Sequence, residues 1–144
     1  MDSGYWQILV EPEAHAHLAF LTPKGKKRWM VMPMGTLNSA PTFVSMMLTL
    51  RELWEGLARG HDIQHCRAKV IIDDVLLYGW DPLTLLKYFR SVLDVLKEHR
   101  AMVKLKKCKW FRNRCEFVGV DVKSDGNSPA ESKFQAFREL GRPR

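Results

Sequence analysis

Apolar residues along this chain follow two periods, and the changes between them mark out the expected elements. Residues 5–10, 18–21 and 28–32 are short apolar runs of strand character. Glu11-Pro12-Glu13 ends the first run, and Thr22-Pro23-Lys24-Gly25-Lys26 has the composition of a turn. Residues 39–59 switch to helical spacing, with Phe43, Met46, Met47, Leu50, Leu53, Trp54 and Leu57 on the apolar stripe, Pro41 allowed in the first turn and Gly60 as the stop. Residues 70–78 form a hairpin of almost continuous apolar strand. Asp81-Pro82 opens a second helix as N-cap and first-turn proline, with Leu85, Leu86, Phe89, Val92, Leu93 and Leu96 facing inward and an end near His99. Residues 102–105 and 116–122 read as two more strands. Asp125-Gly126-Asn127 is a turn, and a helix begins at Ser132 and stops at Gly141 and Pro143. The order β-β-β-α-ββ-α-β-β predicts an α+β fold with helices packed on one face of an antiparallel sheet.

Asp73 and Asp74 interrupt the most apolar of these segments, Val70-Ile71-Ile72-Asp73-Asp74-Val75-Leu76-Leu77-Tyr78. Two unit charges about 4 Å apart repel by roughly 4 kcal/mol at an effective dielectric near 20. A cation between or beside them removes that cost, and magnesium is the hard, oxygen-seeking candidate. The pair therefore predicts a metal site at a hairpin tip; a polar turn is the plain alternative.

Composition narrows the setting. The 144 residues are 46% hydrophobic and 27% charged, as expected of one globular domain. No apolar run nears the roughly 18 residues of a membrane span, and the first residues lack signal-peptide character. Three cysteines, Cys66, Cys108 and Cys115, show no zinc spacing and suit a reducing, intracellular setting. Cys108 and Cys115 read as buried thiols, and His15 and His17, on one face of a strand, as exposed bystanders. The formal charge of +7 is concentrated in one place: residues 97–114 hold eight basic residues against the single Glu98, while the rest of the chain is neutral. With Trp110 and Phe111 inside it, that segment suits a nucleic-acid backbone, although charge alone leaves a solvated surface equally open.

Five blocks occur in order. They are Ser3-Gly4-Tyr5-Trp6-Gln7-Ile8; Met32-Pro33-Met34-Gly35-Thr36-Leu37-Asn38-Ser39-Ala40-Pro41-Thr42-Phe43; Ile71-Ile72-Asp73-Asp74-Val75-Leu76; Leu105-Lys106-Lys107-Cys108-Lys109-Trp110-Phe111; and Cys115-Glu116-Phe117-Val118-Gly119. Together they resemble the palm, with part of the fingers, of reverse transcriptases of gypsy-type LTR retrotransposons. The resemblance covers residues 3–137, so the expected division is a palm with partial fingers over 1–137 and a tail over 138–144 leading toward a thumb.

The resemblance implies an RNA-directed DNA polymerase that adds deoxynucleotides to a primer 3′-hydroxyl with two magnesium (or manganese) ions. Asp73 and Asp74 match the paired aspartates of the Tyr-x-Asp-Asp turn, as catalytic metal ligands. Tyr5 matches the aromatic residue under the incoming sugar, although taken alone Tyr5 and Trp6 read as core aromatics. Met34 and Gly35 match the loop beside the incoming nucleotide. Phe117-Val118-Gly119 resembles the hairpin that grips the primer terminus, and Lys104, Lys106, Lys107 and Lys109 become candidates for backbone contact. Implied partners are an RNA or DNA template-primer, deoxynucleoside triphosphates, and the fingers, thumb, RNase H and integrase of a Pol polyprotein. No membrane is implied, and the implied location is cytoplasmic particles.

Two departures are visible. Ile71 stands where the family turn begins with tyrosine. The third metal-binding aspartate, three residues before Ser3-Gly4, would fall just before Met1, with Asp2 about 6–7 Å out of place along a strand. The expectation is a reading frame begun at an internal methionine, a fragment inactive by itself. The alternative is a non-catalytic retrotransposon remnant that keeps the fold and weak nucleic-acid binding. A plain basic nucleic-acid-binding protein would leave Asp73-Asp74 unexplained.

Overall fold

The computed structural model describes Met1 and residues 3–131. Asp2, the helix expected from Ser132 and the tail 138–144 lie outside the described residues. The elements are β1 (Ala19–Thr22), β2 (Gly25–Arg28), α1 (Ser39–Gly60), β3 (Cys66–Ile71), β4 (Asp74–Gly79), α2 (Pro82–Glu98), β5 (Arg114–Phe117), β6 (Val120–Lys123) and β7 (Gly126–Pro129). Among the described residues all strand pairing is antiparallel, in three sheets: β1-β2, β3-β4 and β5-β6-β7. The α+β class holds. The chain forms two compact units, Met1–Lys104 and a second from Leu105 onward.

In the first unit, α1 and α2 pack on each other and on the β3–β4 hairpin. Strand alternation sets which face they cover: Cys66 and Ala68 are buried and Val70 and Leu77 pack against the core, while Arg67, Lys69, Ile71 and Tyr78 stay exposed. The hairpin is thus apolar on both faces in sequence but buried on one. From α1 the core takes Phe43, Met47, Leu50, Trp54 and Ala58, and from α2 Tyr88, Val92, Val95 and Leu96. The α2 stripe is rotated from the expected one: Tyr88 is buried, Leu86 and Leu93 are exposed, and Leu53 and Leu57 of α1 are likewise open. The start of α2 is as expected. Asp81 accepts hydrogen bonds from Thr84 N at 2.7 Å and Thr84 Oγ1 at 2.6 Å, with Pro82 following. These bonds hold the Asp81 carboxyl below its usual range.

Four expected strands take other forms. Residues 5–10 begin as a 3-10 turn, Gly4–Gln7, and only Leu9 bridges Val31, flanked by Val10 N to Met30 O at 3.1 Å and Met32 N to Ile8 O at 2.8 Å. The cause is close packing, since a β-carbon on Gly4 would lie 2.6 Å from the Phe43 ring. Of residues 28–32, Arg28 ends β2 and Trp29 N donates to Leu18 O, while residues 30–32 supply only that bridge and its flanking bonds. Residues 102–105 do not form a strand either. Met102 N donates to Gln7 Oε1 at 2.7 Å and Gln7 Nε2 donates to Met102 O at 3.0 Å, so one amide side chain replaces a strand partner. Residues 116–122 fold back at Val118-Gly119, giving two strands where one was expected. Pro12 starts a second 3-10 turn, Pro12–Ala16, so His15 and His17 do not share a strand face. His15 is buried with Nε2 3.0 Å from Val10 O, which corrects its reading as an exposed bystander; His17 is exposed.

Candidate active site

The β3–β4 register pairs Ile71 with Asp74, leaving Ile72 and Asp73 as a two-residue loop. Such loops demand a positive φ at the first position. Ile72 supplies it at φ 54°, a conformation that costs a β-branched residue on the order of 1–3 kcal/mol. Ile72 is 49% exposed, and both aspartates are exposed as well. Solvent access lowers the repulsion between the carboxylates, and it leaves both free to meet a cation and its substrate. The strand register places Asp74 on the open face of the hairpin with Lys69 and Arg67.

Met1 sits against this loop, its ammonium donating to Asp73 O at 3.1 Å. A β-carbon on Gly4 would lie 3.4 Å from Met1 Cβ as well as against Phe43. Tyr5, half-buried, stacks on Phe43 with centroids 5.0 Å apart and planes 19° apart. The first motif, the front of α1 and the aspartate loop are therefore one packed cluster. Met34 and Gly35 lie in the loop entering α1, Met34 exposed and Gly35 at φ 89°, a conformation that favours glycine. Buried Ser39 holds this loop: its Oγ donates to Pro33 O at 2.7 Å and contacts Thr36 Oγ1. Asn38, the residue before the helix, makes no side-chain cap. Ser39 and Phe43 position the site but carry no chemistry of their own. Their signal was their place inside the second motif, which periodicity assigns to helix alone.

The remaining candidates lie elsewhere. Lys104 closes the first unit. Lys106 and Lys107 occupy a 3-10 turn, Leu105–Lys107, in the second unit, and Lys109 follows; all are exposed. Phe117-Val118-Gly119 spans the end of β5 and the β5–β6 loop, with Val118 at φ 50°, 47% exposed, and Gly119 at φ 73°. Arg114, counted in the basic segment, is tied to buried Asp121, so that guanidinium is committed to the sheet. The tie holds the Asp121 carboxyl below its usual range and raises Arg114. Among the described residues no cysteine forms a disulfide, and burial pushes Cys66 up, as expected of a structural thiol.

Asp73 and Asp74 offer the hard oxygen donors magnesium takes, and magnesium sites commonly use one or two carboxylates with water and substrate phosphates completing the shell. Among the described residues no three His, Cys, Asp or Glu side chains converge on a point that could hold a metal. Also among them, no helix is long and apolar enough to cross a membrane.

A family model described as reverse transcriptase (RNA-dependent DNA polymerase) matches residues 1–122. The Retrovirus-related Pol polyprotein from transposon opus of Drosophila melanogaster is 29% identical over 143 residues, covering 99% of this chain and 13% of the relative. The Enzymatic polyprotein of Figwort mosaic virus (strain DxS) is 26% identical over 127 residues, 88% of this chain and 18% of that protein. The chain thus spans under a fifth of the length of these relatives. Two solved structures share its fold. The foamy viral protease-reverse transcriptase in complex with dsDNA gives a TM-score of 0.80 at 21% identity, covering 98% of this chain and 27% of that one. The same enzyme with an RNA/DNA hybrid gives 0.76 at 22% identity, covering 98% and 18%. By the family match over most of its length, the chain belongs to the reverse transcriptase (RNA-dependent DNA polymerase) family.

Proposed function

We propose that this chain is the palm, with part of the fingers, of a gypsy-type RNA-directed DNA polymerase. The observation that carries the reading is the exposed Asp73-Asp74 pair at a hairpin tip, packed through Met1 and Gly4 against the Tyr5–Phe43 stack. Asp73 and Asp74 would hold the magnesium ions, which when bound would activate a primer 3′-hydroxyl and stabilise the leaving pyrophosphate. Tyr5, braced on Phe43, would limit the space beneath the incoming sugar. Met34 and Gly35 would lie beside the nucleotide, and Phe117-Val118-Gly119 would meet the primer terminus. Lys104, Lys106, Lys107 and Lys109 would contact nucleic-acid backbone. Substrates would be deoxynucleoside triphosphates on an RNA or DNA template-primer, with fingers, thumb, RNase H and integrase supplied by a longer Pol polyprotein in cytoplasmic particles.

A second reading is a remnant that keeps the fold and weak nucleic-acid binding without chemistry. Manganese titration of the isotopically labelled chain separates the two. Under the polymerase reading, paramagnetic broadening starts at residues 71–75 and Asp73→Asn removes it; broadening that is uniform along the chain overturns it. The 144-residue chain by itself is expected to give no primer extension on an RNA template with magnesium or manganese. Processive synthesis abolished by Asp73→Asn would overturn that expectation.

A further inference from the structure

The first unit carries a row of aromatic rings that the polymerase reading leaves unused. Trp6 stacks on Trp29 with centroids 6.3 Å apart and planes 30° apart, and Trp29 meets Phe20 at 5.7 Å and 35°. The row is open to water at both ends, Trp6 50% and Phe20 42% exposed, with Trp29 half-buried between them. Strand pairing fixes what stands beside it. Phe20 lies opposite Lys27, and Trp29 N donates to Leu18 O at 3.2 Å, extending the β1–β2 ladder by one pair. Phe20, Lys27 and Trp29 therefore project from one face, with an exposed ammonium stem among the rings. From Leu18 to Trp29 the hairpin holds Lys24, Lys26, Lys27 and Arg28 and no acidic residue.

We infer that Trp6, Trp29 and Phe20 form a stacking platform for the unpaired bases of a single-stranded nucleic acid, with Lys27 and its neighbours neutralising the backbone. Exposed rings next to cations are the combination such strands select, because every base offers a π-face and every linkage a negative charge. A duplex hides its base faces and gains only from the cations. An acidic protein surface would likewise use the lysines and leave the rings idle. Trp6 directly follows Tyr5, so the row begins beside the residue proposed to face the incoming sugar. The inference shares the nucleic-acid partner of the proposed function but needs no metal chemistry at Asp73.

Fluorescence anisotropy with a labelled 12-nucleotide single strand, titrated with the full 144-residue chain, tests it. Trp6→Ala and Phe20→Ala are each expected to weaken binding about tenfold, while Trp6→Phe and Phe20→Tyr retain it. An abasic strand of equal length should bind the unaltered chain as weakly as the normal strand binds the alanine variants. Lys27→Gln should lower the slope of log affinity against log salt by about one. Alanine variants that bind like the unaltered chain, or an abasic strand that binds as tightly as a normal one, overturn the platform. Platform binding without manganese binding at residues 71–75 would sink the polymerase reading alone, and the reverse result would sink the platform alone.

Discussion

The hairpins β3–β4 and β5–β6 are built to one local plan and held in place by different means. Each has a two-residue loop, and each sets a β-branched residue there at positive φ: Ile72 at 54° and Val118 at 50°. The β3–β4 hairpin is clamped from one face by both long helices, which bury Cys66 and Ala68 near its base. The β5–β6 hairpin relies on β7 and on the Arg114–Asp121 tie. A loop can keep a strained residue only where its surroundings over-determine it. A packed core does this for the loop with the aspartates, and strand pairing with the Arg114–Asp121 ion pair contributes to it in the other.

The largest effect should come from removing the clamp. Phe43 is fully buried and supports both Gly4 and Tyr5. Phe43→Ala is expected to cost about 3–5 kcal/mol in urea unfolding. Amide signals of Tyr5 and Asp73 should shift in the folded fraction while those of β5–β7 stay in place. Equal disturbance of both hairpins would erase the contrast between them. Gly4→Ala attacks the same cluster from the other side, forcing a methyl to within 2.6 Å of the Phe43 ring. With that ring enclosed, the expected cost is about 1–3 kcal/mol, with the same selectivity for the first unit. A Gly4→Ala chain as stable as the original would mean that the ring yields.

Most of this arrangement was legible where a local rule governs the backbone. Both helices, the Asp81-Pro82 start and the aspartate hairpin follow from periodicity, capping and turn chemistry. The misread segments are those where a distant side chain decides. Residues 5–10 look like a strand until the Phe43 ring closes on Gly4. Residues 102–105 have the apolar composition of a strand, yet Met102 is partnered by the Gln7 amide from nearly a hundred residues earlier. His15 is buried because Pro12 turns the chain, which a count of strand faces cannot register. The candidate site was found through motif order, but its supports, Ser39 and Phe43, were hidden inside motifs whose visible signal is helical. Arg114 adds to the charge of the basic segment in sequence, whereas its partner Asp121 lies across a turn that the apolar pattern runs straight through.

Relieving the loop strain tests the shared half of the plan. Asparagine tolerates the left-handed region better than isoleucine or valine, so Ile72→Asn and Val118→Asn should each stabilise their unit by about 1 kcal/mol. Thermal melts resolved by hairpin-specific amide signals would read this out. The gain at Ile72 should leave the β3–β4 pairing unchanged, because the helices already fix it. At Val118 the same change should also slow amide exchange along β5 and β6. Loss of stability at either position would mean that the tip side chain contributes packing that outweighs its strain.

The smallest effect separates the hairpins by pH. The Arg114 guanidinium holds the Asp121 carboxyl below the ordinary carboxylate range, and Arg114 itself stays charged throughout the acid region. A carboxyl lowered in the folded state contributes stability above its unfolded pKa of about 3.9, and that contribution is lost as pH falls through the lower folded value. Acid should therefore loosen β5–β6 in the window below about pH 4, and there amide signals of residues 114–123 should lose exchange protection. Among the described residues no ion pair joins β3 to β4, which are clamped by apolar contact with α1 and α2, so the protection of residues 66–79 should persist further into acid. Asp121→Asn removes the titrating group, and its β5–β6 protection should be weaker at neutral pH and flat through the acid window. Equal acid sensitivity in both hairpins, or a window that survives Asp121→Asn, would show that the ion pair does not hold the second hairpin.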